Sequence, residues 1–233
     1  MMDHAIKAAI AIMIIAVVAY IVIYVVPALL PRVTYNTGYD AEPTVAINSE
    51  IPGSIHVSTY NGSQIEVSNI ITYTPLIPKP SINYTSKQAG NALYIQLSST
   101  TCPREQFYPI FTCIVGTNVY LPPGVKELLF NDSASIINIQ VNNIGNANLN
   151  LSSSVINMDL ENIGNANLEI SATTGIIKIQ GTGNYRINVT SSSITIDTSP
   201  NTCLQINAIS SSVTYPGGAI EARAQSTLYN QSA

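Results

Sequence analysis

The chain has 233 residues and a formal net charge of −4 at pH 7, and charged residues make up only 9% of it. Globular domains average about 25% charged residues, and the acidic balance without a basic patch argues against a nucleic-acid-binding protein. Hydroxyl and amide side chains take the place of charges, which indicates that the bulk of the chain faces the outside of the cell.

The first element is an apolar run. Residues 8–30 contain no charged side chain, and 23 residues in a helix extend about 34 Å, enough to cross a hydrocarbon core of about 30 Å. The run therefore predicts one N-terminal transmembrane α-helix over residues 8–30, after a cytoplasmic tail over residues 1–7. Its length exceeds that of a cleavable secretory signal. We expect a single-pass anchor in the cell membrane with a large extracellular C-terminal part.

The middle of the chain predicts irregular β-structure. After a linker over residues 31–43, short alternating apolar segments separated by Asn-Gly, Pro and Ser clusters fill residues 44–118. Cys102 and Cys113 flank a Pro-rich insertion, and a disulfide closing a loop of that size would contribute about 2–4 kcal/mol. We expect these two cysteines to pair, which leaves Cys203 as a lone thiol or an intermolecular partner.

A repeat dominates the second half. Residues 144–149 and 163–168 both read IGNANL, 19 positions apart. Extending the step aligns apolar residues in columns that alternate with polar ones, as in short strands with one inward face. The pattern predicts an all-β, β-solenoid fold over residues 119–217, with about 19 residues and two short strands per coil. Tight corners are expected at Gly145, Gly164 and Gly183.

Stacking at this period has two further consequences. Three columns would form amide ladders, although asparagine is also a common turn residue: Asn138 with Asn157, Asn143 with Asn162 and Gly181, and Asn146 with Asn165 and Asn184. Residues 218–233 are expected to be a cap or tail, with residues 219–228 as a helix over the exposed edge of the last coil.

Six Asn-x-Ser/Thr sequons follow the apolar run, and each is a candidate glycosylation site. The 19-residue step places three of them in one outward column, with Glu169 between the second and the third. The candidates are Asn61, Asn83, Asn131, Asn150, Asn188 and Asn230.

The sequence offers no convincing catalytic constellation. His56 is the one histidine after the apolar run, so a Ser-His or Cys-His pair lacks support, and we expect His56 to be an outward strand residue. Four carboxylates are close enough in the repeats to be considered as an acid–base pair, but the simpler interpretation is a solvated acidic face. They are Asp159, Glu161, Glu169 and Asp197. We expect a non-enzymatic protein without a metal site or cofactor.

Residues 117–130, with the sequence TNVYLPPGVKELLF, and the repeats that follow resemble the "putative adhesin" β-solenoid domains of unknown function, related to the auto-transporter adhesin head type. The resemblance covers roughly residues 42–215. It implies a cell-surface location and carries no catalytic residues. The low charge, the Ile and Tyr content and the sequons are similar to those of surface proteins of hyperthermophilic archaea.

Two functions follow as expectations. The first is a membrane-anchored structural or adhesion module that contacts surface-layer proteins, glycans or its own copies through an exposed sheet edge. The second is a pilin-like filament subunit, because Lys7-Ala8-Ala9 before an apolar helix is similar to an archaeal prepilin signal. Cleavage there would free the helices to bundle into a filament core.

Overall fold

The computed structural model describes residues 2–21, 30–51, 53–74, 79–99, 113–134, 136–199, 202–215 and 218–231. These residues form one helix and fifteen β-strands joined in one sheet. The elements are α1 (Met2–Tyr20), β1 (Arg32–Asp40), β2 (Thr44–Ser49), β3 (Ser54–Thr59), β4 (Gln64–Tyr73), β5 (Ile82–Ala89), β6 (Ala92–Ser99), β7 (Cys113–Leu121), β8 (Glu127–Asp132), β9 (Ile136–Asn142), β10 (Asn146–Glu161), β11 (Asn165–Gln180), β12 (Gly183–Thr190), β13 (Ser193–Thr198), β14 (Thr202–Tyr215) and β15 (Gly218–Gln231).

The all-β class is confirmed, but the solenoid architecture is wrong. The parallel strands close into a six-stranded parallel β-barrel with the remaining strands added to it. Closure is visible at β11, which pairs with β12 along its first half and with β13 along its second, while β12 and β13 both pair with β14. The physical reason is strand length. β10 and β11 each run for 16 residues, where two short strands were expected. A strand of this length pairs with one neighbour along its first half and with another along its second half, as β10 does with β8 and β9.

The 19-residue register itself is confirmed. β10 lies parallel to β11 from the Asn146–Asn165 pair to the Glu161–Gln180 pair, and the inward side chains of both strands belong to one buried core. The column of Leu149, Leu168, Ile187 and Ile206 is buried throughout. Since complete burial of one such side chain contributes about 1.5–3 kcal/mol, these stacked columns are the main source of stability in the repeats.

The corner glycines are needed for space rather than for a left-handed backbone. At this corner of successive repeats the left-handed residues are Asn143, Asn162 and Gly181, with φ of 56°, 52° and 87°. Gly164 lies where successive repeats approach closely, because a Cβ there would be 2.6 Å from the carbonyl oxygen of Gly145. Real Cβ atoms do not approach this closely, so Gly164 is required for packing of the backbone rather than for a positive φ.

Antiparallel strands complete the N-terminal end of the sheet. β4 pairs with β1 and with β7, and β5 pairs with β6. A buried polar network lies beneath them, in which the Thr117 hydroxyl donates to Asn69 Oδ1 at 2.6 Å and the Asn69 amide donates to the Tyr84 hydroxyl. Burial raises the pKa of Tyr84 to about 12, so this hydroxyl remains protonated and hydrogen-bonded at physiological pH.

The C-terminal segment is a strand, and the expected helix over residues 219–228 is wrong. β15 pairs antiparallel with β14 from the Cys203–Gln231 pair to the Tyr215–Gly218 pair, with one irregularity between Ile209 and Ser211. Backbone groups along the open edge of β14 require partners. An added strand pairs with this edge on both sides of the irregularity, which a helix could not do.

The N-terminal prediction also needs correction. α1 ends at Tyr20, and within the described residues we find no helix with the length and apolar character to cross a bilayer. The transmembrane helix expected over residues 8–30 is therefore not found. Residues 22–29 of that range lie outside the described part.

Candidate interaction surface

One outer face of the barrel carries columns of amide side chains. We call it the amide face; it consists of the outward side chains of β6, β2, β8, β12 and the first halves of β10, β11 and β14. Strand register arranges them in adjacent columns. One column contains Gln96, Asn48, Asn131, Asn150, Glu169, Asn188 and Asn207, and its neighbour contains Tyr94, Ala46, Leu129, Asn148, Asn167, Arg186 and Gln205.

The predicted amide ladders are confirmed. Asn165 Nδ2 donates to Asn146 Oδ1 at 3.1 Å, and Asn184 Nδ2 donates to Asn165 Oδ1 at 3.2 Å. On the opposite face, Asn157 donates in the same way to Asn138 at 3.2 Å. Each bond links residues 19 apart, so the ladders fix the register of the repeats from outside as the apolar columns do from inside.

Sequence reasoning missed one further ladder. Asn131 Nδ2 donates to Asn48 Oδ1 at 3.1 Å, and Asn48 Nδ2 donates to Gln96 Oε1 at 3.0 Å. These partners are 83 and 48 positions apart, so no fixed period relates them. Only the parallel pairing of β2 with both β6 and β8 brings them together.

A groove lies along this ladder of Gln96, Asn48 and Asn131, and we call it the amide groove. It has a volume of about 520 Å³, with Thr85, Ser86 and Lys87 of β5 along one wall. Tyr94 lines it and leaves 48% of its surface exposed. The remaining lining residues belong to the amide face and its supporting strands: Ala46, Ile47, Asn48, Ile95, Gln96, Leu129, Phe130, Asn131, Asn148, Leu149, Asn150, Asn167 and Glu169.

A second depression of about 730 Å³ covers the later repeats of the same face. Arg186 lines it, and its Nε donates to Gln205 Oε1 at 3.2 Å. Cys203 also lines it as an exposed free cysteine. The guanidinium and the free thiol make this depression chemically unlike the amide groove.

The structure places the sequons on several elements. Asn131, Asn150 and Asn188 share one column with Glu169 between the last two, as the period predicts. Asn131 and Asn150 line the amide groove and are exposed, Asn188 is half-buried, and Asn61 and Asn83 are exposed. The side chain of Asn230 lies outside the described part, and glycosylation at all six positions stays a prediction.

The cysteine expectations are tested in part. Cys113 is buried and disulfide-bonded. Cys102 lies outside the described residues, so its pairing with Cys113 stays a prediction.

The catalytic candidates are dispersed. His56 is a half-buried residue of β3, opposite Asn118 on one side and Asn138 on the other. Asp159 and Asp197 lie in one column on the opposite face, separated by Lys178. Glu161 ends β10 on that side, while Glu169 belongs to the amide face. Among the described residues, no group of three or more His, Cys, Asp and Glu side chains could hold a metal ion.

Asp132 is the acid that the sequence did not single out. It points inward at the end of β8, is 2% exposed, and accepts a hydrogen bond from the Ala134 amide at 2.9 Å through Oδ2. Burial raises its pKa, partly offset by the Ser49 hydroxyl and by backbone amides. The other carboxylate oxygen, Oδ1, is buried and has no hydrogen-bond partner.

Comparison with known proteins gives structural matches alone. No protein-family model matches the chain, and no curated protein does. Among solved structures, a "putative cell adhesion protein" from Clostridium sporogenes is 11% identical with a TM-score of 0.41, over 75% of this chain and 76% of that one. A "putative adhesin" from Bacteroides fragilis is 12% identical with a TM-score of 0.28, over 79% and 97%.

A "putative lipid binding protein" from Parabacteroides distasonis is also 12% identical, with a TM-score of 0.29 over 79% of this chain and 96% of that one. The names of the first two matches agree with the adhesin resemblance seen in the sequence. At these TM-scores the likeness carries no argument about ligand or partner.

Proposed function

We propose that the protein is a non-catalytic cell-surface module that makes adhesive contacts through the amide face. The observation that carries this proposal is the amide groove with its ladder of Gln96, Asn48 and Asn131. The groove is a shaped, hydrogen-bonding surface on a continuous sheet, and the charges of its two ionisable lining residues, Lys87 and Glu169, balance. Such a surface is suited to recognition, because the sheet holds its polar groups in fixed positions before a partner arrives.

The chemistry of the remaining surface supports a binding role. The carboxylates suggested as acid and base lie apart, and Lys178 separates two of them. General acid–base catalysis requires its groups within hydrogen-bond reach of one reacting site. We therefore propose that the protein acts by contact alone, without a cofactor or metal.

The helix α1 provides a means of attachment to the cell envelope. Its described side chains are apolar and exposed, including Ile12, Met13 and Ile15. Apolar surface of this extent is covered in a functioning protein by lipid or by other apolar chains. The same observation supports a second candidate function, a pilin-like filament subunit in which processed helices cover one another.

Deletion of the gene in the source organism, with complementation by the full chain, tests the adhesive role. Loss of cell–cell and surface adherence in the deletion strain, restored by the full chain, is the expected result. Protease shaving of intact cells should release peptides from the strands. Unchanged adherence, or protection of the whole chain from protease, would contradict the proposal.

Mass spectrometry of the chain from native membranes and from sheared surface filaments separates the two candidates. An N-terminus at Met1 or Met2 in the membrane fraction supports the surface module. A chain beginning at Ala8 or Ala9 in the filament fraction supports the filament subunit. The same spectra report glycan occupancy at each sequon and the proposed bond between Cys102 and Cys113.

A further inference from the structure

We propose that the amide groove binds a neutral oligosaccharide, with Tyr94 as the surface against which one sugar ring packs. This inference rests on the proposed adhesive function and names the chemical class of its partner. Three properties of the groove support it: the unused hydrogen-bonding capacity of the ladder, the apolar strip beside the ladder, and the distribution of charge.

The ladder retains hydrogen-bonding capacity that faces the groove. A side-chain amide offers two N–H donors and two acceptor positions. Asn48 uses one donor toward Gln96 and one acceptor position toward Asn131, so one N–H and one lone pair remain. Adjacent hydroxyls of a sugar each donate and accept, and a row of half-used amides at fixed spacing matches that pattern.

An apolar strip runs alongside the ladder. Tyr94, Ala46 and Leu129 occupy neighbouring strands in one column, directly beside the column of Gln96, Asn48 and Asn131. A sugar ring is amphipathic, with C–H groups on its face and hydroxyls at its edge. The strip can receive the face while the ladder binds the edge, and the exposed ring of Tyr94 supplies a large rigid apolar surface at low cost in side-chain entropy.

The charge of the groove favours a neutral ligand. Its charged lining residues are Lys87, on the β5 wall opposite Tyr94, and Glu169, at the far end. One positive and one negative side chain give no net attraction for a polyanion or a polycation. A phosphorylated, sulfated or nucleic-acid ligand is thereby disfavoured relative to an uncharged glycan.

The proposal has a requirement that concerns the sequons. Asn131 and Asn150 line the groove, and a glycan attached to either would occupy the space that the ligand needs. The native protein must therefore carry no glycan at these two positions. Glycosylation at Asn61 lies outside the groove lining and is compatible with binding.

The test is isothermal titration of the full chain, solubilised in detergent, with four neutral tetrasaccharides and one anionic control. The probes are maltotetraose, mannotetraose, cellotetraose and chitotetraose, and the control is a hyaluronan tetrasaccharide. We expect at least one neutral probe to bind. Tyr94→Ala should weaken that binding at least tenfold, Tyr94→Phe should retain it because the ring remains, and Asn48→Ala should weaken it severalfold.

Matched controls come from the opposite face. Ile176→Ala removes a side chain that is 47% exposed there, and Asn157→Ala removes a rung of the ladder with Asn138. Neither change should alter binding, and a folded state shared by all variants, verified by circular dichroism and thermal melting, excludes misfolding as the cause of a loss.

Several outcomes would overturn the inference: binding of no neutral probe at millimolar concentration, preference for the anionic control, equal affinity in Tyr94→Ala and wild type, or glycan occupancy at Asn131 or Asn150 in native protein. Adherence that persists in cells carrying Tyr94→Ala would reject the groove while leaving the adhesive function intact. Absence of adherence in wild-type cells would reject the proposed function itself.

Discussion

Single residues in this protein are constrained mainly by the close approach of successive repeats. Gly164 is required because a side chain would overlap the backbone of the preceding repeat. Asp132 is constrained differently, since it is a carboxyl group in the apolar interior with one oxygen lacking a hydrogen bond. Both positions are sites where a one-atom or one-charge change has a measurable effect on stability.

Gly164→Ala should destabilise the fold by on the order of 2 kcal/mol, because the added Cβ would lie 2.6 Å from the Gly145 carbonyl oxygen. Chemical denaturation measures the change. Gly38→Ala is the matched control, since a Cβ there meets only the Gln64 side chain at 3.4 Å. Equal stability of the two variants would show that the repeats are not as closely spaced as described.

Asp132→Asn should raise stability at neutral pH. Burial raises the folded-state pKa of Asp132 above the ordinary value of 3.8, so the folded state binds the proton more tightly than the unfolded state. The tighter proton binding stabilises the folded state fully below pH 3.8. This stabilisation is lost as the pH rises through the raised pKa of Asp132 in the folded state. Melting temperatures of wild type and variant should therefore diverge as the pH rises above about 4.

The exposed acid Asp40 supplies the control for that measurement. Asp40→Asn should change the free energy of unfolding at pH 7 by no more than about 0.5 kcal/mol. A destabilising effect of Asp132→Asn at pH 7 would mean that the carboxylate is paired in solution.

At the scale of elements, β10 and β11 combine two kinds of stacking. Apolar columns lie inside and amide ladders lie outside, and both follow the 19-residue register. The sequence predicts both, because identical residues recur at a fixed step. It does not predict that each strand continues for 16 residues. Alternation of apolar and polar residues looks the same in one bent strand as in two short ones.

Asn165→Ala should lower the free energy of unfolding more than Asn184→Ala does. Asn165 makes two ladder hydrogen bonds and Asn184 makes one. In this exposed setting each hydrogen bond contributes no more than about 1.5 kcal/mol to the free energy of unfolding. Urea denaturation of both variants and of the double variant gives the coupling between them.

Asn148→Ala controls for the loss of an exposed asparagine, since the described structure gives Asn148 no side-chain hydrogen bond and it lies in β10 two residues after Asn146, the register partner of Asn165. If Asn165→Ala and Asn148→Ala are equally stable, the ladder contributes nothing to the free energy of unfolding.

At the scale of the whole molecule, the C-terminal strand β15 covers the edge of β14. β15 pairs with β14 along almost its entire length. An open parallel edge of this length is a template for pairing with another chain. The β15 strand therefore protects the edge of β14.

Removal of residues 216–233 should cause self-association. The truncated chain would expose the edge of β14 over the positions now paired with β15. Light scattering coupled to size-exclusion chromatography measures the mass. A chain that ends at Gln231 keeps the strand and is the control. A truncated chain that stays monomeric at the same concentration would contradict the protective role.

The sequence by itself determined the inward columns, the 19-residue register and the amide ladders that follow this register, because those features depend on residues repeated at a constant step. The tertiary structure alone decided the closure of the strands, the strand conformation of residues 218–231 and the amide groove. The groove depends on Thr44 of β2 lying opposite Ala92 on one side and Glu127 on the other. Those contacts join distant segments through backbone hydrogen bonds, whose pattern is not encoded in any local periodicity.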